Sequence, residues 1–314
     1  MIKIGLLLSL ALVALLYIAR WWWIERSRAA AAATSSAGAP SASESAASRS
    51  ADHLRTPRIA DALVGFVTNF FDTLGIGSFA PTTAYFKLRA RMPDDQIPGT
   101  LNTGQALPTI SQALIFIATV TVDLTTLVSM IVAAVVGAWL GAGVVARLSR
   151  RAIQFGMGAA LMCAALLYLA HIAHWTPGSG DALGLQGARL ILAVAINVLL
   201  GALMMLGVGL YAPCLILLSL LGMSPLAAFP IMMGSCGLLM PIGGVRFVRT
   251  GRYNVGAALG LAMGGIPGVL VAAYLVRSMP LVWLNWLVII VVVYAALQML
   301  KSARETQPAS PPRS

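Results

Sequence analysis

Between residues 59 and 300 the chain passes through ten apolar stretches, near 59–74, 76–88, 98–122, 124–146, 152–172, 188–206, 208–222, 226–248, 254–276 and 281–300, and most charged residues collect in the gaps. Hydrocarbon about 30 Å thick takes roughly 20 apolar residues per crossing helix. The pattern therefore predicts an all-α polytopic transmembrane helical bundle, with about eight to ten crossings and no room for a separate soluble catalytic domain. Composition agrees, since 59% of the 314 residues are apolar and only 10% charged, whereas soluble domains carry about a quarter of their residues as charges. The 21 Lys and Arg exceed the 10 Asp and Glu by 11. In a soluble chain that excess would suggest nucleic acid; here it marks the cytoplasmic face, and the expected partner is the lipid bilayer. Cys163, Cys214 and Cys236 form no CxxC or Cys/His cluster. They are expected to pack, with no metal and no cofactor.

Residues 1–28 hold an apolar run, 4–24, that ends in Arg20, Trp21, Trp22, Trp23, Glu25, Arg26 and Arg28. This fits a membrane anchor with an aromatic belt, and a cleaved signal peptide is the rival. Residues 29–58 are dominated by Ala and Ser and are expected to form a disordered linker, as is the cytoplasmic tail 301–314. Sliding the sequence by 132 residues superposes Gly75 on Gly207, Gly77 on Gly209, Pro81 on Pro213, Pro93 on Pro225 and Pro98 on Pro230. With a one-residue slip the match continues to Gly137 on Gly268. The membrane core is thus two repeats, 59–172 and 188–300.

Each repeat carries a Gly-x-Gly pair followed by a proline, Pro81 or Pro213, that suits only the first turn of a helix. A broken or re-entrant helix restarting at each proline follows, with close packing through small residues as the plainer alternative; for Gly137 and Gly141 that plainer reading is preferred. If each broken segment enters and returns, the positive residues at 20–58, 87–91, 147–151, 246–252 and the C-terminus share one face, leaving Lys3, Arg189 and Arg277, 3 of 21, outside. The same parity makes the halves an inverted repeat.

An ionised group is costly in hydrocarbon, so Asp72, beside Asn69, Thr73 and Ser78, draws two compatible readings: a cap for a freed backbone N–H, or a proton-coupling site. No Lys or Arg lies mid-stretch, so a bound anion must be met by helix N-termini at Pro81 and Pro213 and by neutral donors. Asn102, Thr103 and Gln105 occupy the place of Gly234, Ser235 and Gly237 in the second repeat. His171 and His174, beside Trp175, fit an interface better than a relay. There is no nucleophile elbow, HExxH, phosphate loop or carboxylate pair, and an enzyme is not expected.

The run Gly65 to Ser78 with Pro81 and Ile97-Pro98-Gly99-Thr100-Leu101-Asn102, with Gly207-Val208-Gly209-Leu210-Tyr211-Ala212-Pro213 and the helix around Val136-Gly137-Ala138-Trp139-Leu140-Gly141-Ala142, resembles the TauE/SafE sulfite exporter family, also called the toluene sulfonate uptake permease family. The likeness spans about 59–300 and leaves out the N-terminal anchor. Ser78-Phe79 and Leu210-Tyr211 stand where the family has a richer glycine run. The resemblance implies a multi-pass bacterial inner-membrane permease for sulfite, sulfonates or related organic anions. It also implies a duplicated four-helix unit with parallel halves, against the inverted arrangement that the charges favour. The expected substrate-binding residues are Asn69, Asp72, Thr73, Gly75, Gly77, Ser78, Pro81, Asn102, Thr103, Gln105, Gly207, Gly209, Tyr211, Pro213 and Ser235. A homo-oligomer is compatible with these features. A membrane accessory or assembly protein with no flux of its own is the alternative function.

Overall fold

The computed structural model describes residues 2–35, 56–93, 96–144, 162, 180–204 and 209–278, and isolated positions between 286 and 301. Among these the regular structure is ten helices: α1 (Ile2–Ser35), α2 (Ile59–Thr73), α3 (Phe79–Leu88), α4 (Ile97–Gly104), α5 (Ala106–Thr119), α6 (Leu124–Val144), α7 (Gly187–Met204), α8 (Tyr211–Leu220), α9 (Pro225–Thr250) and α10 (Val255–Ser278). Four of them, within α1, α7, α9 and α10, are long and apolar enough to cross a membrane. The chain divides into two compact units. The first holds α1 to α5, α9 from Met233, and α10; the second holds α6, α7, α8, the start of α9 and the short stretch Gly75–Gly77.

Helix α2 reads inside out. Ile59, Leu63, Val67 and Phe71, four residues apart, are exposed, while Asp61, Gly65, Thr68, Asn69, Asp72 and Thr73 are buried. That arrangement suits a helix whose apolar face meets lipid and whose polar face meets protein. Its partner in the first unit is α10, which offers Gly260, Gly264 and Gly268. A Cβ on Gly264 would run into the carbonyl of Ala62, and one on Gly268 into the carbonyl of Phe66; conversely a Cβ on Gly65 would lie 2.6 Å from the Leu261 oxygen. The two backbones therefore touch, as small residues permit.

The second unit repeats this pair. A Cβ on Gly137 of α6 would run into the carbonyl of Val198 of α7, and Asn197 Nδ2 donates to Met130 O at 2.6 Å. Gly137 and Val198 are the repeat mates of Gly268 and Phe66, and Met130 and Asn197 those of Leu261 and Gly65. Among the described residues, the first helix of each half is thus packed on a later helix of the other half. The compact units therefore cut across the sequence repeats 59–172 and 188–300, because the glycine face on which each first helix packs is carried by the opposite half.

The direction of the halves follows from the first unit alone. Under the 132-residue shift α4 and α5 are the mates of the stretch 229–251 in α9. Gly244 lies against Asn102 O, Met240 Sδ accepts from Thr109 Oγ1 at 3.1 Å, and Gly237 lies against Ala113. Contacts that descend along α9 as they ascend along α4 and α5 make the mates antiparallel, so the halves are inverted, as the charges require.

Helices α2 and α3 form a returning hairpin. At its tip the Ser78 N–H donates to Asp72 Oδ1 at 2.7 Å; at its open end Arg91 Nη2 pairs with Asp61 Oδ2 at 2.8 Å and the Tyr85 hydroxyl reaches Asp61 Oδ1 at 3.3 Å. Rising about 1.5 Å per residue, the 15-residue and 10-residue arms reach only about 22 and 15 Å, short of hydrocarbon about 30 Å thick. The open end sits with other basic segments: Thr100 Oγ1 donates to Met92 Sδ and accepts from the Asn254 N–H, and Arg28 donates to the carbonyls of Val248 and Arg249. The positives at 20–28, 58, 87–91 and 246–252 thus share one end of this unit; the stretch 147–151 and the C-terminal tail lie outside the described residues. On α1, Arg20 stacks over Trp23 at 5.1 Å and Arg26 over Trp22 at 4.8 Å, as an interfacial belt would.

One expectation about the N-terminus changes. Helix α1 continues to Ser35, into the stretch expected as linker from residue 29, while 36–55 lie outside the described residues. The helix is also packed along one side, with Leu10, Tyr17, Trp21 and Ile24 buried.

Single cysteines at Thr56 and Pro93, both exposed, placed in a cysteine-free background, will react with a membrane-impermeant thiol reagent from the same face. Labelling from opposite faces would mean that the hairpin crosses instead of returning.

Candidate functional site

The hairpin tip is built by backbone chemistry. Gly75 and Gly77 adopt φ of 96° and 85°, a left-handed conformation that costs a residue with a Cβ roughly 1–2 kcal/mol. They end α2 and restart the chain as α3, in which Pro81 takes the third position, where its missing N–H would have had no partner. The restart expected at Pro81 is therefore present, and so is its mate in the second unit, where Pro213 is the third residue of α8, after Gly209 and Tyr211. Gly207 lies outside the described residues.

Two sets of buried polar contacts tie the hairpin to α4 and α5. In one, Asp72 Oδ1 accepts the Ser78 N–H at 2.7 Å, while Gln112 Nε2 donates to Asp72 Oδ2 at 2.9 Å and to Thr73 Oγ1 at 3.0 Å. In the other, Ser78 Oγ donates to Gln105 Oε1, and Gln105 Nε2 donates to Thr82 Oγ1 at 3.3 Å. All six side chains are buried. Asp72 is held by neutral donors and satisfies one backbone N–H at the helix start, that of Ser78 just before α3.

Of the expected first-repeat residues, Asp72, Thr73, Ser78 and Gln105 come together directly. Asn69 lies one turn below on α2, its carbonyl accepting from Thr73 Oγ1 at 2.8 Å, and its Oδ1 has no hydrogen-bond partner among the described residues. The same holds for Asn102 Oδ1 and Thr103 Oγ1, one turn before Gln105 on α4. Ser235 is buried in α9. Gly209, Tyr211 and Pro213 belong to the second unit.

Gln112 and Thr82 join the site although the sequence did not single them out. A signal existed: Asn102, Gln105, Thr109 and Gln112 recur at steps of three and four, a polar stripe along one face of an otherwise apolar helix pair. Thr82 follows Ser78 by one turn, and its hydroxyl donates to the Ser78 carbonyl at 2.7 Å. Asp61 is a second buried acid, but it pairs with Arg91 at the open end of the hairpin. Eleven residues, about 16 Å of helix, separate it from Asp72.

The two repeats differ most here. Shifted by 132, Asp72, Ser78, Thr82, Gln105, Thr109 and Gln112 fall on Met204, Leu210, Cys214, Gly237, Pro241 and Gly244. The polar cluster exists in the first repeat only.

A polar, broken-helix site in an inverted repeat is the setting in which comparison with known families becomes informative. The model of the sulfite exporter TauE/SafE family matches residues 1–168, more than half of the chain. The chain belongs to this family. The match begins at residue 1, so the TauE/SafE pattern includes α1, which the sequence resemblance had left out. Comparison with curated proteins and with solved structures returns no match.

Replacing Gln112 by Leu strands Asp72 Oδ2 in a buried setting and takes one partner from Thr73 Oγ1. The variant is expected to lose about 1–3 kcal/mol of stability, seen as a lowered unfolding midpoint in detergent, whereas Ser111→Ala, on the neighbouring position, leaves the midpoint unchanged.

Proposed function

We propose that the chain is a secondary transporter of a small sulfur oxyanion, sulfite or a small sulfonate, across the bacterial inner membrane, with binding at the cluster of Asp72, Ser78, Thr82, Gln105 and Gln112. Membership of a family of sulfite exporters supports the class of protein. The observation that carries the site is the cluster itself: buried, joined by hydrogen bonds, and placed at a helix start inside an apolar helix bundle. Neutral amide and hydroxyl donors around a helix N-terminus suit an oxyanion, because they meet its oxygens and carry no counter-charge that would have to be released again.

Asp72 adds a condition. Its carboxylate already occupies the start of α3, so an incoming anion meets a resident negative charge. Protonation of Asp72 removes that charge and frees the Ser78 N–H and the Gln112 amide for the substrate. One proton then accompanies each monoanion, and the loaded site carries no more charge than the empty one. An electroneutral cycle matters because moving one uncompensated charge costs or yields about 2.3 kcal/mol per 100 mV.

In proteoliposomes, the wild-type protein is expected to take up radiolabelled sulfite or methanesulfonate faster under an inwardly directed proton gradient. Asp72→Asn, which keeps the shape and loses the proton site, will show flux that no longer responds to the gradient. Gradient-independent flux in the wild type would remove the coupling role. A complete lack of flux with every sulfur oxyanion tried would favour an accessory protein.

A further inference from the structure

Helix α1 has no counterpart in the repeat, which starts near residue 59. Its buried residues fall at Leu10, Tyr17, Trp21 and Ile24, one stripe along the helix. That stripe follows α9. A Cβ on Gly237 would lie 3.5 Å from Leu10 Cδ2, and a Cβ on Gly244 would lie 2.8 Å from the Tyr17 hydroxyl and 3.1 Å from its ring. Gly237 and Gly244 are the repeat mates of Gln105 and Gln112. Where the first repeat carries the two glutamines of the polar cluster, the second carries glycines: Tyr17 of α1 takes the space beside Gly244, and Ala113 of α5 together with Leu10 of α1 closes that beside Gly237.

Tyr17 also touches the other side of this crossing. Its hydroxyl donates to the carbonyl of Thr103 at 2.9 Å, in the last turn of α4, two residues before Gln105. The final carbonyls of a helix have no donor from a following turn, and here a buried phenol supplies one. The lower end of α1 is fixed as well: Trp21 Nε1 donates to the Tyr253 hydroxyl at 2.9 Å, that hydroxyl donates to Glu25 Oε1 at 2.7 Å, and Arg28 pairs with the same oxygen at 2.7 Å while bonding the carbonyls of Val248 and Arg249 at the end of α9. Burial, together with the Glu25 carboxylate, raises the Tyr253 phenol above its ordinary value and keeps it a donor.

We infer that α1 is a resident wedge that breaks the two-fold symmetry of the transporter, and that Tyr17 is a positioning residue for the substrate site. It acts through the Thr103 carbonyl on the turn that presents Gln105, and Gln105 in turn holds Ser78 and Thr82 at the start of α3. The wedge explains why the polar cluster occurs once although the fold is duplicated. Its kinetic consequence rests on the transport function proposed above; its geometry does not.

Two measurements test it. Tyr17→Phe keeps the ring and removes one hydrogen bond. In proteoliposomes it is expected to raise the KM for radiolabelled sulfite or methanesulfonate about three- to tenfold, with Vmax close to wild type and a modestly lowered unfolding midpoint. An unchanged KM would overturn the positioning role. Gly244→Ala puts a methyl group against the Tyr17 hydroxyl and is expected to lower the unfolding midpoint, and adding Tyr17→Phe will recover part of that loss. Purely additive losses in the double variant would overturn the wedge. Since this second measurement needs no flux, a wild-type protein that moves neither probe would defeat the transport reading while leaving the wedge under test.

Discussion

Inside hydrocarbon a helix gains little by hiding one leucine against another, because lipid is as apolar as its neighbour. Contact between backbones, made possible by glycine, is what remains, and the structure depends on it. Gly264 and Gly268 admit the carbonyls of Ala62 and Phe66, and Gly137 admits that of Val198. These are the same contact made twice, at positions related by the internal repeat. It exchanges the first helix of each half for that of the other, so each compact unit is built from both sequence halves. It also holds α2 with its polar face inward, so that Asp72, Thr73 and Asn69 are carried into the protein interior on the back of a glycine interface.

The polar cluster then becomes the place where the duplicated fold stops being symmetric. A site with two-fold symmetry would offer an anion the same groups from both halves. Here Gln105 and Gln112 have glycines at their mate positions, and Asp72 has a methionine. The carboxylate of Asp72, seated at the start of α3, stands in the position that a helix N-terminus offers to an oxyanion. In the transport cycle proposed above, a resident charge and an anion there exclude one another, and that exclusion is a physical basis for coupling proton to anion.

Much of this was legible in the residues because it is enforced locally. Gly75, Gly77 and Pro81 impose their backbone conformations whatever surrounds them, so the break and restart could be placed from the sequence. The excess of Lys and Arg in a few gaps constrained the topology, and the hairpin and the antiparallel mates agree with it. What was hidden depends on partners far away in the chain. A face of small residues looks the same whichever helix will cover it, so the exchange of α2 and α7 between halves could not be seen. Gln112 is an unremarkable amide on an apolar helix until the hairpin brings Asp72 and Thr73 beside it. Asp61 lies at the edge of an apolar stretch, and only the return of the chain at Arg91 shows that it is buried. Helix α1 has the composition of an anchor, and its seat on Gly237 and Gly244 becomes visible only when α9 is in place.

The claim at the centre of this account is that an oxyanion replaces the charge of Asp72 at the start of α3. Isothermal titration of methanesulfonate, which stays singly charged across the neutral range, into the purified protein in buffers of different ionisation enthalpy reports the protons taken up on binding. Uptake approaching one proton per anion in the wild type, and none in Asp72→Asn, is the predicted result. Binding without proton uptake in the wild type, or with equal uptake in both proteins, would contradict it.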